Sequence, residues 1–166
     1  MVKENISEQE FEQLIDEYGT QILRLCYLYL KDYQLAEDAC QDTFLSVYRN
    51  IGNFKKASSI KTWITKICIN TCKNYLRSSW AKRIILNDKK IRAEKYIEKP
   101  IMEESELMTL IMDLNRKQKE VILMFYYQEF STKEIASILN ISESNVCTRL
   151  SRARKCLRIE VEGALV

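Results

Sequence analysis

The chain has 166 residues and no histidine, only three glycines and a single proline. Without histidine it lacks the side chain best matched to proton transfer near neutral pH. It also carries no glycine-rich phosphate loop and no nucleophile set beside a base. Carboxylate pairs such as Glu37 and Asp38 have no matching partners in the sequence, so no enzyme is expected. Strand-rich folds need turn residues often, so this shortage favours helices joined by short connections. No apolar run reaches the roughly 18 residues that a spanning helix needs, so no direct membrane insertion is expected. The opening Met1-Val2-Lys3-Glu4-Asn5 lacks the apolar core of a signal peptide, which leads us to expect a cytoplasmic protein.

What is present is a core-forming composition, 46% hydrophobic and 30% charged. Six cysteines, Cys26, Cys40, Cys68, Cys72, Cys147 and Cys156, fall inside helical patterns rather than in a loop framework. In a reducing compartment such thiols stay free, and a buried cysteine packs as a small hydrophobe. Cys68 and Cys72 are four residues apart and could offer two metal ligands from one helix face. With no histidine and no CxxC pair, a zinc site would need cysteines from distant segments. Core packing is therefore the expected role, with no metal and no cofactor.

The net charge of +3 conceals an uneven distribution. Residues 1–50 have a net charge of −6, residues 51–100 of +10, and residues 101–166 of −1. Between Arg149 and Arg158 stand five cations and no anion. Separate acidic and basic blocks point to a polyanion for some surfaces and a different partner for others.

Apolar spacing predicts an all-α fold. Phe11, Leu14, Ile15, Tyr18, Ile22, Leu25 and Tyr29 form a helical stripe from Ser7 to about Lys31, opened by a Ser7–Glu10 capping box. A second helix is expected from Tyr33 to Asn50, with Ala36, Ala39, Cys40, Phe44 and Val47 inward, and Gly52-Asn53 ending the pattern. A third is expected from Ser59 to about Trp80, with Ile60, Ile64, Ile67, Cys68, Thr71, Cys72 and Tyr75 inward. Charged, weakly periodic residues follow, with the only proline, Pro100. Further helices are expected over 104–114, 116–128, 131–139 and 142–160. The organisation is thus two small helical domains, 1–81 and 105–166, joined by a basic linker over 82–104.

Three surfaces carry the functional signal. Ser131-Thr132-Lys133-Glu134 has the form of a capping box that starts a short helix, Asn140-Ile141 turns the chain, and Ser142 can cap the next helix. In that last helix Val146, Leu150, Ala153 and Leu157 share one face, while Ser144, Thr148, Ser151, Arg152 and Lys155 share the opposite one, flanked by Asn145, Arg149 and Arg154. Periodicity alone fits a helix-turn-helix and an ordinary helix pair equally well. The caps and the cation cluster favour DNA, with the second helix in the major groove.

On the third helix Thr62, Lys66, Asn70, Lys73 and Arg77 fall within an arc of about 80°. Phe54, Lys55, Lys56 and Ser58 precede them, and Trp63 lies at the border of the core. Cations can track phosphates there, an aromatic can stack on an unstacked base, and an asparagine can read its edge. Taken alone, a solvated lysine face with Trp63 packed beneath it is the slightly better reading. The second helix carries Glu37, Asp38, Gln41 and Asp42 beside Leu45 and Tyr48. That acidic, apolar-edged face suits a protein partner, and an ordinary solvated face equally well.

Three stretches together resemble the extracytoplasmic-function sigma factors of bacterial RNA polymerase. Residues Ala36-Glu37-Asp38-Ala39-Cys40-Gln41-Asp42-Thr43-Phe44-Leu45 are similar to the family's region-2 polymerase-binding helix. Phe54 to Arg77 resembles the segment that opens and reads the −10 promoter element, and Glu134 to Arg154 the region-4 reader of the −35 element. The resemblance implies three partners: core RNA polymerase through its β′ clamp helices and β flap, promoter DNA, and an anti-sigma factor, often membrane-anchored. Asp38, Gln41, Asp42 and Leu45 would then meet polymerase. Phe54, Lys55, Lys56, Ser58, Thr62, Trp63, Lys66, Asn70, Lys73 and Arg77 would serve the −10 element, with Asn70 near a flipped base. Lys133, Ser144, Asn145, Thr148, Arg149, Arg152 and Lys155 would serve the −35 element. The chain departs from the family's usual residues at Lys56 (glycine), Asn145 (threonine) and Cys147 (lysine or arginine). The competing reading is a conventional helix-turn-helix regulator of duplex DNA, in which the acidic helix and the Phe54–Arg77 surface have no purpose.

Overall fold

A computed structural model of the chain describes residues 6–78 and 105–164, with side chains to residue 158. Every regular element among the described residues is helical. The chain separates into two compact units, Met1–Lys99 and Pro100–Val166. The expected linker, 82–104, lies outside the described residues. No helix among the described residues is long and apolar enough to cross a membrane.

The first unit contains α1 (Glu8–Leu30), α2 (Tyr33–Asn50) and α3 (Ile60–Arg77). Ser7 and Glu10 form the capping box the sequence predicted, each bonding the other's backbone N–H. Lys31 ends α1 in the left-handed conformation, φ 53°, and its N–H reaches the Tyr27 carbonyl at 2.7 Å. Asp32 then caps α2 by accepting from the Leu35 N–H at 2.8 Å. So short a connection folds the two helices back against each other. A 3-10 turn, Ile51–Asn53, ends α2, and Ser59 caps α3 through the Thr62 N–H.

Three helices close around one core. Ile22, Leu25, Cys26 and Leu30 come from α1; Leu35, Ala36, Ala39, Phe44 and Val47 from α2; and Ile64, Cys68, Ile69 and Cys72 from α3. Because α3 packs against both α1 and α2, it buries a broader face than its apolar stripe suggests. Thr62, Thr65 and Ile69 are buried with it, while Ile67 and Thr71 stay half-buried.

The second unit contains α4 (Glu106–Asp113), α5 (Arg116–Ile122), α6 (Thr132–Leu139) and α7 (Glu143–Ala164). The expected single helix over 116–128 is instead α5 followed by a wider π turn, Leu123–Tyr127, in which the Gln128 N–H bonds the Leu123 carbonyl. Val121, Ile122, Leu123 and Met124 are all buried, a run too long for one face of a regular α-helix. The π turn inserts a residue there, and Phe125 and Tyr126 come to lie against Arg154 of α7. The Ser131–Glu134 capping box starts α6, and Asn140, left-handed at φ 54°, ends it. Ser142 accepts from the Asn145 N–H at the start of α7. Thr132 donates to Glu143 at 2.6 Å, tying the two helix starts together.

Replacing fully buried Ile64 with alanine should lower the unfolding free energy by about 2–5 kcal/mol in a urea melt. Ile15→Ala, at a position 38% exposed, should change it by no more than about 0.5 kcal/mol. Equal losses at both positions would contradict this core.

Candidate nucleic-acid and protein interfaces

On α2 the expected docking residues share the outer face. Gln41, Asp42 and Leu45 are exposed, Leu45 at 49%, and Asp38 is half-buried. Tyr48 packs edge-on against Phe11 of α1, ring centres 5.0 Å apart, so the apolar border of this face is held by the N-terminal helix. Asp42 is not a loose acid. Its carboxylate accepts the Tyr75 hydroxyl of α3 at 2.6 Å. Burial, and then that bond to Asp42, hold the Tyr75 phenol well above its usual value. Tyr75, expected in the core, thus links the acidic face of α2 to the helix that carries the cationic one.

On α3 Lys66, Asn70 and Arg77 are exposed and Lys73 is half-buried, all on the side away from Ile64, Cys68 and Cys72. Thr62 corrects the expected row. It is 3% exposed, and its hydroxyl shares a 2.9 Å hydrogen bond with that of Ser59, so it serves the helix cap rather than the cationic face. Phe54 and Trp63 lie against each other, ring centres 5.2 Å apart, and form a half-buried aromatic pair at the start of α3. Lys55, Lys56 and Ser58 are exposed around it. Lys56, where the resemblance expects glycine, adopts the left-handed backbone that glycine favours, φ 54°. The loop keeps its turn at a cost of about 1 kcal/mol or more in backbone strain.

On α7 the inward face is Val146, Leu150 and Ala153. Ser144, Asn145, Thr148, Arg152 and Lys155 are exposed, and Lys133 is exposed on α6. Arg149 corrects the expectation of an outward base reader. Its Nη1 donates to Glu120 of α5 at 3.0 Å, in an ion pair whose side chains are only 17% and 8% exposed. Its Nε donates to the Asn145 side-chain oxygen at 2.9 Å. Arg154 also turns toward the protein, its guanidinium 5.6 Å from the Phe125 and Tyr126 ring centres and its Nε donating to the Tyr126 hydroxyl. Two of the five clustered cations therefore orient α7, while Arg152 and Lys155 face outward. Sequence reading missed Glu120 and Tyr126, which lie 29 and 28 residues from their arginines and leave no local signal.

Glu120→Ala should destabilise the protein by about 3–5 kcal/mol, because it strands a half-buried guanidinium. In a double-mutant cycle with Arg149→Ala, a coupling energy of about 0.5–3 kcal/mol should appear. Strictly additive losses would mean that the two groups do not pair in solution.

The chain has counterparts among known proteins. A family model described as Sigma-70 region 2 matches residues 14–87, and one described as Sigma-70, region 4 matches residues 104–157. A probable RNA polymerase sigma factor of Haemophilus influenzae is 32% identical, over 90% of this chain and 86% of its own length. The ECF RNA polymerase sigma factor SigM of Bacillus subtilis is 29% identical, over 89% of this chain and 92% of its own. Among solved structures, the sigma factor RpoE in complex with the anti-sigma factor NepR from Bartonella quintana has the same fold. Its TM-score is 0.69 at 22% identity, covering 93% of this chain and 98% of that one. The region-2 and region-4 matches in order along the chain, together with these relatives, show that the chain belongs to the extracytoplasmic-function RNA polymerase sigma factors.

Proposed function

We propose that this sigma factor docks on core RNA polymerase through the outer face of α2 and opens promoters with the outer face of α3. Residues 1–81 act as the region-2 domain, 82–104 as a basic linker, and 105–166 as the region-4 domain. One observation carries the reading: two packed helices of one small unit present faces of opposite character. The first offers Asp38, Gln41, Asp42 and Leu45, and the second Lys66, Asn70, Lys73 and Arg77. A regulator that only binds duplex DNA has no use for that pair.

On α2 an acidic face suits a basic protein surface and repels phosphate. The β′ clamp helices of polymerase are the partner proposed for it, and the β flap for the region-4 domain. On α3 Lys66, Lys73 and Arg77 hold the backbone of the non-template strand while Asn70 hydrogen-bonds a base turned out of the stack. Phe54 and Trp63, already packed on each other, wall the pocket at its loop side, with Lys55, Lys56 and Ser58 beside it. On α7 the base edges of the −35 element fall to Ser144, Asn145, Thr148 and Arg152, and Lys133 and Lys155 meet phosphates. Arg149 positions this face through Glu120 and leaves the Asn145 amide nitrogen free to donate. An anti-sigma factor, often membrane-anchored in this family, is proposed as the regulator, with the cytoplasm as the setting.

Strand opening separates this function from the conventional regulator. Turning a base out costs a few kcal/mol, which its pocket must return. Asn70→Ala should leave closed complexes nearly intact and impair opening of a fully paired promoter. A promoter mismatched across the −10 region should recover much of the activity. Permanganate footprinting of unpaired thymines on both templates reads this directly. If Asn70→Ala opens the paired promoter as well as the parent protein does, Asn70 faces only solvent.

A further inference from the structure

The core of the first unit brings three thiols together that promoter recognition does not use. Cys26 of α1 meets Cys68 and Cys72 of α3, all three fully buried, with every pair of sulfurs within 4.8 Å. The Cys26 and Cys68 sulfurs stand 3.5 Å apart. Cys68 and Cys72, one helical turn apart, supply two donors, and Cys26 is the donor from a distant segment that the sequence could not place.

We propose that Cys26, Cys68 and Cys72 form a three-sulfur site for a soft monovalent metal ion, Cu(I), that clamps α1 to α3. The geometry suits it. At a metal–sulfur bond of about 2.3 Å, three sulfurs in a plane around one ion stand about 4 Å apart. The sulfurs, 3.5 Å apart between Cys26 and Cys68 and within 4.8 Å throughout, agree with that spacing. The donor set selects the ion. Three thiols with no carboxylate, in a core of Ile22, Leu25 and Ile64, offer nothing to magnesium or calcium. A structural zinc ion needs a fourth donor. The nearby thiol of Cys40 falls outside the three-sulfur group, and its sulfur approaches the Gly19 carbonyl at 3.9 Å instead.

Each thiol that ligates gives up its proton to solvent as the ion binds. Because no sulfur of the three reaches solvent, the ion enters when α3 parts locally from α1.

The test is an anaerobic titration of the full chain, freshly reduced, with Cu(I) held by a competing chelator. One equivalent should bind with an ultraviolet sulfur-to-copper band, and X-ray absorption should show three sulfur neighbours at about 2.3 Å. The ion should raise the melting temperature of the parent protein. Cys147→Ser with Cys156→Ser, which removes the two exposed thiols, should keep the band and the sulfur shell. Cys72→Ala and Cys26→Ala, checked for folding by circular dichroism, should lose both. X-ray absorption on the parent needs no variant, so a variant that fails to fold does not leave the site untested. Absence of tight binding, two sulfurs instead of three, or a band that survives in folded Cys72→Ala but vanishes with the exposed thiols would overturn the site. So would tighter retention of zinc through four donors.

Discussion

Cys68 lies 3.5 Å from Cys26 across the seam between α1 and α3, and its sulfur also approaches the Ile22 carbonyl at 4.0 Å. With Ile64 and Cys72 buried on the same side, this seam fixes the rotation of α3 about its own axis. A helix turned by one residue would move every side chain by about 100°, carrying Lys66, Asn70 and Lys73 together off the outward side. The outward face of α3 is therefore a consequence of the inward one. The same holds for α2, whose Ala36 and Ala39 allow close packing and so send Gln41 and Leu45 outward.

The second unit solves the same problem with one added polar device. Val146, Leu150 and Ala153 set which side of α7 is buried, and the Glu120–Arg149 pair sets the register of its first turns against α5. A buried ion pair is weak support for stability in general, because both charges lose water. Its value here is directional. Arg149 Nε donates to the Asn145 side-chain oxygen at 2.9 Å, so this exposed side chain in the first turn of α7 is oriented within the protein itself. Glu134 and Asn140 act at the other end of the motif, fixing where α6 starts and stops. Tyr75 plays the corresponding part in the first unit, joining the acidic and cationic faces through Asp42.

Whatever depends on near neighbours in the chain was legible in the sequence. Ser7 with Glu10, Ser131 with Glu134, and the outward row of Lys66, Asn70, Lys73 and Arg77 all follow from spacing of three or four residues. Whatever depends on distant partners was not. Thr62 fits the cationic arc by angle, yet α3 packs on two helices and buries it. Arg149 reads as a surface cation until Glu120, 29 residues earlier, comes beside it. The π turn after α5 relieves a run of buried residues whose burial is decided by α6 and α7, not by local propensity. Cys26 had no visible tie to Cys68, 42 residues on, because apolar spacing alone cannot pair helices in three dimensions.

The central claim is that this chain gives polymerase a promoter specificity it otherwise lacks, rather than binding duplex DNA on its own account. A run-off transcription assay tests it most directly, using purified core RNA polymerase, this protein and no other sigma factor on fragments of the organism's own genome. The account predicts discrete transcripts starting at defined promoters, absent when the protein is left out. The same transcripts from core alone, or transcripts that this protein supports only when a second sigma factor is added, would contradict it.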